Sequence, residues 1–357
     1  MHATRLTFFL GITAWLFMPA VFGSVVERCI EAAEAYVDAL DTEQRSRAIE
    51  SFDSPERRKW AYLTGSKSRT HGLALRDMSD PQKVRAHRLI ACGMSAQGYQ
   101  KAAGIIRLDD RVRKRMDALI YPLTSDFEIG RDFYWLGVFG TPGDDDSWGW
   151  QLEGHHLALN FTVVGDSISV TPAFMGADPA EVQTGPLAGW RLLGREEDLA
   201  FDLIQSLTDQ QRSRAVLSAV MPKGLFTSPG RGLVLTAFEG LPAADMTAAQ
   251  RQLLWLLIGE YVQNADPVVA DQMIGQILNK GSGSVYFAWM GPTTEGSAVY
   301  YRIHGPGILI EFDHGTNVRL PKLGADPNHI HSVMRIPDGD FGEDLLRRHY
   351  EESPDHQ

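Results

Sequence analysis

The sequence has little cysteine and no surplus of positive charge. Two cysteines in 357 residues are too few for a disulfide scaffold or for a zinc site made of four thiolates. Lysine and arginine number 34 against 45 aspartate and glutamate residues, which gives a formal net charge of −11. Because a protein that binds nucleic acid needs a basic surface, we predict that nucleic acid is not a partner.

Signature motifs of several enzyme classes are also missing. The sequence has no G-x-S-x-G elbow, no H-E-x-x-H zinc helix, no Walker A loop and no G-x-G-x-x-G segment after a strand. Serine catalysis with one of the histidines stays open, because the members of a triad need not be close in sequence. The balance of 44% hydrophobic and 22% charged residues indicates a globular protein with a sizeable core.

Long apolar runs are confined to the N-terminus. The run at 6–22 follows Arg5, is interrupted by Pro19 and is followed by Gly23. Its length is at the lower limit for a membrane span, so we predict a signal peptide over residues 1–23, cleaved after Gly23, rather than a retained anchor. The mature protein is then periplasmic or secreted, keeps no membrane span, and is more negative by the loss of Arg5.

One short pattern recurs four times and predicts the starts of helices. Each copy has an Asp, Ser or Thr N-cap followed three residues later by glutamine, which is a capping box. The four caps are Asp41, Ser79, Thr208 and Thr247. They fall as two pairs at irregular spacing, so they are either four separate helix starts or the trace of an ancient duplication.

These signals predict an α+β fold, with helices around two antiparallel strand blocks. Helices are expected near 24–50, 55–64, 79–91, 109–118, 195–218 and 247–280. The strand blocks are expected at about 127–174 and 285–335. We predict a single domain over 24–350 and a polar tail at 351–357.

The two cysteines, Cys29 and Cys92, both lie in segments with a helical pattern. Outside the cytoplasm they can oxidise to one disulfide between two N-terminal helices. The alternative is a pair of buried thiols, and the sequence does not decide between them. Neither cysteine has a C-x-x-C partner, so redox catalysis has little support.

Histidine is the informative residue type, since seven of the 11 histidines lie in the strand blocks or just after them. Alternate residues of a strand share a face. In the first block His155 falls on an apolar face, which favours a core histidine. His156 falls on the more polar face, where a ligand or catalytic role competes with ordinary exposure.

The second block carries a polar face with several chemical groups. Tyr300, Arg302 and His304 share one face of a strand, and Glu311 and Asp313 share a face of the next. The connection at 305–307 is Gly-Pro-Gly, which predicts that the two strands pair as a hairpin. A sheet face exposed to solvent can carry the same residues, but the many aromatic residues in these strands favour a pocket lined by the polar side chains.

The sequence Asn-His-Ile-His at 328–331 places His329 and His331 on the same face of a strand, so both can reach one metal ion. Convergence with another histidine and a carboxylate would complete a ligand set; the candidates are His304, Glu311 and His349, with His156 or His155 from the first block. Imidazole donors suit zinc, copper or iron, whereas calcium prefers oxygen. The alternative is that these histidines form hydrogen bonds within the sheet and hold no metal.

The segment 338–344 combines carboxylates with glycines, as calcium loops do. The EF-hand spacing and its terminal glutamate are absent. We therefore predict a turn into a short helix over Glu343–Tyr350, whose acidic start and basic end suit the helix dipole. Asp340 and Asp344 are candidates for supporting the metal ligands.

Taken together, these motifs resemble the bacterial and fungal family named domain of unknown function 3500. The resemblance rests on Gly154–Asn160, Val170–Ala177, Tyr300–Pro306, Ile310–Asp313, His329–Arg335 and Asp340–Tyr350. It covers roughly residues 30–350 and implies a common fold and a shared histidine pattern. The family carries no settled activity, so the resemblance implies no reaction.

The residues favour an exported metal-dependent enzyme, with His156, His304, His329 and His331 as the candidate ligands. Zinc would activate water for hydrolysis of a small or polar substrate, with Glu311 as general base or further ligand. Arg302 and Tyr300 would orient an anionic or carbonyl-bearing substrate. The alternatives are a copper- or iron-dependent oxidoreductase, and a periplasmic protein that binds a metal or small ligand without turnover. Substrate and oligomeric state are not indicated.

Overall fold

The computed structural model describes residues 23–63, 71–118, 128–143, 147–316 and 324–352. The first 22 residues of the predicted signal peptide and most of the predicted tail lie outside these ranges. The described helices are α1 Val25–Asp38, α2 Thr42–Ala48, α3 Asp80–Cys92, α4 Ala96–Ala118, α5 Gly194–Ser206, α6 Asp209–Ala215, α7 Ala248–Val262, α8 Pro267–Asn279 and α9 Glu343–Glu352.

The strands of the described residues form one mixed sheet, so the predicted α+β class is confirmed. They are β1 Ile49–Glu50, β2 Leu73–Ala74, β3 Tyr134–Phe139, β4 Ser147–Gly154, β5 Leu157–Val164, β6 Ser167–Ser169, β7 Ala173–Ala177, β8 Val216–Ser218, β9 Leu241–Pro242, β10 Tyr286–Met290, β11 Tyr300–Gly305, β12 Ile308–Thr316 and β13 Ala325–Arg335. The order along the sheet is β1-β3-β4-β5-β7-β13-β12-β11-β10-β8.

The two predicted strand blocks are joined edge to edge. Strand β7 pairs with β13 in antiparallel fashion, with Gly176 opposite His331 and Phe174 opposite Val333. The two blocks are therefore parts of one continuous sheet. Where β7 and β13 pair, Phe174, Met175, Ile330 and Val333 are buried, which is typical of paired interior strands rather than of an exposed edge.

The second half of the chain repeats the topology of the first. Strand β1 is parallel to β3, and β8 is parallel to β10. Strand β2 pairs antiparallel with β3, and β9 pairs in the same way with β10. The hairpin β4–β5 has its counterpart in β11–β12. Two helix pairs precede the main strands in each half.

All four predicted capping boxes are present. Their glutamines also meet in pairs: Gln44 bonds Gln82 at 2.6 Å, and Gln211 bonds Gln250 at 2.9 Å. The sequence Gln-Arg-Ser-Arg-Ala occurs at 44–48 and again at 211–215. These shared contacts and residues support the duplication that the paired caps suggested.

Several predicted helices have different bounds in the structure. The ranges 24–50, 195–218 and 247–280 each contain two helices. Among the described residues 55–63 of the predicted helix at 55–64, only Pro55–Arg58 forms a short 3-10 turn, because the chain then becomes extended at Lys59. Helix α4 begins at Ala96, well before the predicted 109. The first part of this helix was not predicted because it contains glycines, which are weak helix formers. The packing requires a glycine at position 98, since a Cβ on Gly98 would lie 2.0 Å from the Asn264 carbonyl oxygen. Helix α9 and the turn before it were predicted correctly.

The two faces of the sheet differ in chemistry. Helices cover the apolar face, where Tyr301, Ile310 and Phe312 join the main core. The opposite face carries buried polar side chains, among them Arg302 and Glu311. The predicted alternation along β11 and β12 is therefore confirmed. Segments 51–63 and 219–240 contribute Trp60, Tyr62 and Leu225 to a small apolar cluster on this second face.

Cys29 in α1 and Cys92 in α3 form a disulfide, with Cα atoms 5.1 Å apart. The bridge, rather than a pair of buried thiols, is the alternative that the structure adopts. Among the described residues, no helix combines the length and the apolar character that a bilayer crossing requires.

Replacing both cysteines with serine should lower the free energy of unfolding by about 4 kcal/mol, because the bridge spans 63 residues and restricts the unfolded chain. Urea unfolding of the mature protein and the double variant measures the change. Dithiothreitol should shift the midpoint of the wild type but not that of the variant. Equal midpoints for all four samples would contradict the prediction.

Candidate metal centre

Three histidines from distant parts of the chain converge at the seam between β7 and β13. His156 lies in the turn between β4 and β5, whereas His329 and His331 lie on β13. One ring nitrogen from each lies within 4.8 Å of the others. The Nε2 atoms of His156 and His329 are 3.0 Å apart. The rings therefore present their nitrogens to one small volume.

The backbone of His156 takes an unusual conformation. Its φ is 61°, in the left-handed region that residues other than glycine rarely adopt. The corresponding turn of the second half, between β11 and β12, has Gly307 at φ 96°. A histidine occupying a glycine position costs conformational energy, and such strain is concentrated at functional sites.

This turn corrects the predicted strand. His155 and His156 were expected to lie within a strand of the first block, on its apolar face and its polar face respectively. Instead, Gly154 pairs with Leu157 and the two histidines form the connecting turn. The usual Asn-Gly or Gly signal of a two-residue turn is absent here, so the sequence did not reveal the break.

Backbone and carboxylate oxygens hold two of the rings from behind. Nδ1 of His329 is 3.0 Å from the Thr316 carbonyl oxygen, and Nδ1 of His331 is 3.1 Å from Oδ1 of Asp313. Both oxygens are acceptors, so each Nδ1 donates and each Nε2 carries the lone pair. Metal-binding histidines are oriented by contacts of this kind.

Two glycines make room for the rings. A Cβ on Gly315 would lie 2.7 Å from Nδ1 of His329, and a Cβ on Gly176 would lie 3.2 Å from the His156 ring. The Gly176 amide also donates to the His156 carbonyl oxygen at 2.8 Å. The histidines thus occupy volume that neighbouring side chains would otherwise fill.

The centre favours neutral imidazoles. Burial, aided by the nearby His331, lowers the pKa of His329 to about 3. Burial and then the adjacent histidines His155, His329 and His331 hold the pKa of His156 well below its usual value. Neutral imidazole is the form that binds a metal ion.

His155 supports the turn from the helical side. Its ring stacks on that of His156 with centroids 3.8 Å apart. Its Nδ1 lies 2.8 Å from Oδ1 of Asp109 on α4, whose other oxygen accepts from the Tyr134 hydroxyl at 2.6 Å. His155 therefore has a satisfied ring nitrogen, and it also links helix α4 to the His156 ring.

A family comparison adds to this geometry. The family model described as a protein of unknown function, DUF3500, matches residues 22–343. The chain belongs to this family. No curated protein and no solved structure matches it.

The remaining predicted site residues of this DUF3500 chain lie away from the three histidines. His304 stands at the far end of β11, where its ring contacts Phe238 with centroids 4.6 Å apart. Strand pairing places Tyr300, not His304, beside Asp313. The four-residue separation along β11 is about 13 Å. The structure therefore does not bring His304 into the group that contains His156, His329 and His331.

Glu311 was predicted to be a metal ligand or general base, but its carboxylate instead binds the segment that covers the sheet. Its carboxylate accepts from the Phe226 amide at 2.6 Å, from the Thr227 amide at 3.0 Å and from the Thr227 hydroxyl at 2.5 Å. The Tyr300 hydroxyl donates to it at 3.2 Å. Burial raises the Glu311 pKa, although these donors oppose the shift. The carboxylate holds segment 219–240 on the sheet.

Arg302 also lies apart from the histidines and pairs with Glu239. Asp340 and Asp344, expected to support the ligands, bond Arg335 and Arg348 instead. The carboxylates that do contact the histidines are Asp313 and Asp109. Asp313 was visible on the polar face of β12, but the sequence contained no signal for Asp109, which lies on a helix far from the histidines.

Changing Gly315 to alanine should displace the His329 ring and weaken zinc binding about 10- to 100-fold, the usual effect of disturbing a contact that orients a ligand. Gly275→Ala is the matched control, because a Cβ there meets nothing within 4 Å. Competition with a zinc chelator measures both affinities. Equal zinc affinity for the two variants would contradict this placement of His329.

Changing Asp313 to asparagine should also weaken zinc binding about 10- to 100-fold, since an amide holds the His331 ring less firmly than a carboxylate. The same chelator competition applies. Asp338→Asn, at an exposed position, tests for an unspecific effect of lost charge and should bind zinc as the wild type does. An unchanged affinity in Asp313→Asn would show that the carboxylate does not support the centre.

Proposed function

We propose that this protein is an extracytoplasmic metal-dependent hydrolase whose zinc ion is held by His156, His329 and His331. The observation that carries the proposal is the convergence of three imidazole nitrogens, two of them supported from behind by Thr316 and Asp313. Three histidine ligands leave a fourth position for water in a tetrahedral zinc site.

A metal explains the arrangement better than hydrogen bonds within the sheet. Two zinc-bound nitrogens are separated by about 3.3 Å, given tetrahedral geometry and bonds of about 2.0–2.1 Å. The His156 and His329 nitrogens are 3.0 Å apart, close to this value. A third imidazole, His331, offers its nitrogen to the same volume, and one hydrogen bond between two rings leaves that nitrogen without a role.

A set of three histidine ligands supports hydrolysis as the first candidate reaction. A zinc ion lowers the pKa of bound water to about 7 and so supplies a nucleophile at neutral pH. The three histidines are neutral ligands, so they leave the positive charge of the ion to act on this water. His331 is the most accessible of the three, with 12% of its side chain exposed, so we expect a small substrate to approach from its side.

The extracytoplasmic location is supported by the disulfide between Cys29 and Cys92. Disulfides persist in oxidising compartments and are rare in the cytosol. The predicted signal peptide before Ser24 agrees with this location, and helix α1 begins directly afterwards with a capping box at Ser24.

A copper- or iron-dependent oxidoreductase is the second candidate. Imidazole donors suit copper and iron as well as zinc. The Tyr62 ring lies beside the centre, with its centroid 5.3 Å from that of His331. A phenol at this distance favours one-electron chemistry over hydrolysis if the resident metal is copper or iron.

The purified mature protein should contain one zinc ion per chain, measured by elemental mass spectrometry. His329→Ala and His331→Ala should each lose the metal, because two imidazoles hold zinc much less firmly than three. His87→Ala is the control, since His87 lies on α3 and contacts Tyr99.

Turnover separates the candidate functions. A hydrolase should cleave ester, amide or phosphoester substrates in a panel, and His329→Ala should abolish that activity. Stoichiometric copper or iron with oxidase activity would replace the first candidate by the second. Bound metal without turnover in either panel would indicate a carrier, and absence of stoichiometric metal would refute the centre itself.

A further inference from the structure

Strand β11 carries a second polar position beneath segment 219–240. Arg302 and His304 lie two residues apart on the same face, and they are only 1% and 3% exposed. From the pairing of β11, β12 and β13, the Cα of Arg302 is about 12 Å from that of His331. Tyr300 and Glu311 fill the sheet face between Arg302 and the metal centre.

The polar atoms at this position are incompletely satisfied. Nη2 of Arg302 pairs with Glu239, but Nε of Arg302 and Nδ1 of His304 are buried without a hydrogen-bond partner. A buried donor without a partner is costly. An oxyanion approaching the guanidinium side-on would engage Nε and Nη2 together, which is the stronger, bidentate arrangement.

Two exposed residues, Glu239 and Phe238, cover this position, and an aromatic ring lies on each side of it. The Glu239 side chain is 55% exposed and Phe238 is 46% exposed. The Phe238 ring contacts His304, and the Phe226 ring has its centroid 6.0 Å from Cζ of Arg302. Displacing Glu239 and Phe238 toward solvent would open a space between two aromatic rings, with Arg302 and His304 at its base.

We propose that Arg302 and His304 form a binding site for a small carboxylate that has an apolar body and a hydroxyl group. The ligand's carboxylate replaces that of Glu239 on Arg302, its hydroxyl group meets Nδ1 of His304, and its apolar body lies between Phe226 and Phe238. Glu239 is thus a built-in competitor that covers the site when no ligand is bound. The site stands independently of the metal centre.

Mandelate is a suitable probe, because it combines a carboxylate, a neighbouring hydroxyl and a phenyl ring. Calorimetric titration of the mature protein should show saturable binding. A tethered carboxylate competes at an effective concentration in the millimolar range, so Glu239→Gln should tighten mandelate binding about tenfold. Glu295→Gln, which alters another exposed glutamate, should leave it unchanged.

Two further comparisons test the assigned contacts. Arg302→Gln should abolish binding, with its fold checked by thermal melting. If that variant does not fold, mandelamide provides the same test with the wild type: it lacks the charge and should not bind. Phenylacetate, which lacks the hydroxyl, should bind several-fold more weakly than mandelate.

Mandelate binding that is no tighter in Glu239→Gln would overturn the proposal, and so would mandelamide binding as well as mandelate. Absence of binding to both the wild type and Glu239→Gln would show that water alone satisfies these atoms. His329→Ala should bind mandelate as the wild type does, so failure of the metal centre and failure of this site are distinguishable.

Discussion

The pairing of β7 with β13 is the interaction on which the rest of the molecule depends. It turns two half-sheets into one, and it places Gly176 directly opposite His331. Since Gly176 also bonds the backbone of His156, this one register brings the turn of the first half to the H-x-H strand of the second. A slip by one residue would move His331 to the other face of the sheet.

The buried polar face is the second constraint, because each polar group on it needs a partner. Glu311 and Arg335 meet this need by binding segment 219–240: Glu311 accepts from Thr227, and Arg335 donates to the Thr227 carbonyl oxygen at 3.0 Å. On the first half Gln151 donates to the Arg57 carbonyl oxygen at 2.5 Å. Side chains with a catalytic appearance in the sequence therefore hold the covering segments in place.

Local sequence patterns predicted the features that depend on residues close together in the chain, namely strand faces and helix starts. Period-two alternation placed His329 with His331, and Arg302 with His304, because strand geometry repeats over two residues. Capping boxes located four helices because an N-cap and its glutamine lie only three residues apart. The resemblance to the DUF3500 family was also visible in short motifs, and the family match over 22–343 confirms it.

Long-range features could not be predicted in this way. The register of β7 against β13 joins residues more than 150 positions apart, and no local signal encodes it. The turn at His155 and His156 lacks glycine where its counterpart has Gly307, so the histidine at this position also hid the turn. Glu311 was predicted to be a metal ligand or general base. Its actual partners include the amides of Phe226 and Thr227, and backbone amides give no signal in a sequence because nearly every residue has one.

Because its topology repeats, the chain can be compared with a symmetric dimer of two identical repeats. A symmetric dimer of single repeats would present the same residues at two equivalent positions. A single chain is free of that constraint: one hairpin turn has His155 and His156, and the matching turn has Pro306 and Gly307. Each half has a complete set of strands, yet neither contains a complete set of imidazoles. The three-histidine cluster therefore lies where the two halves join, with His156 from one half and His329 and His331 from the other.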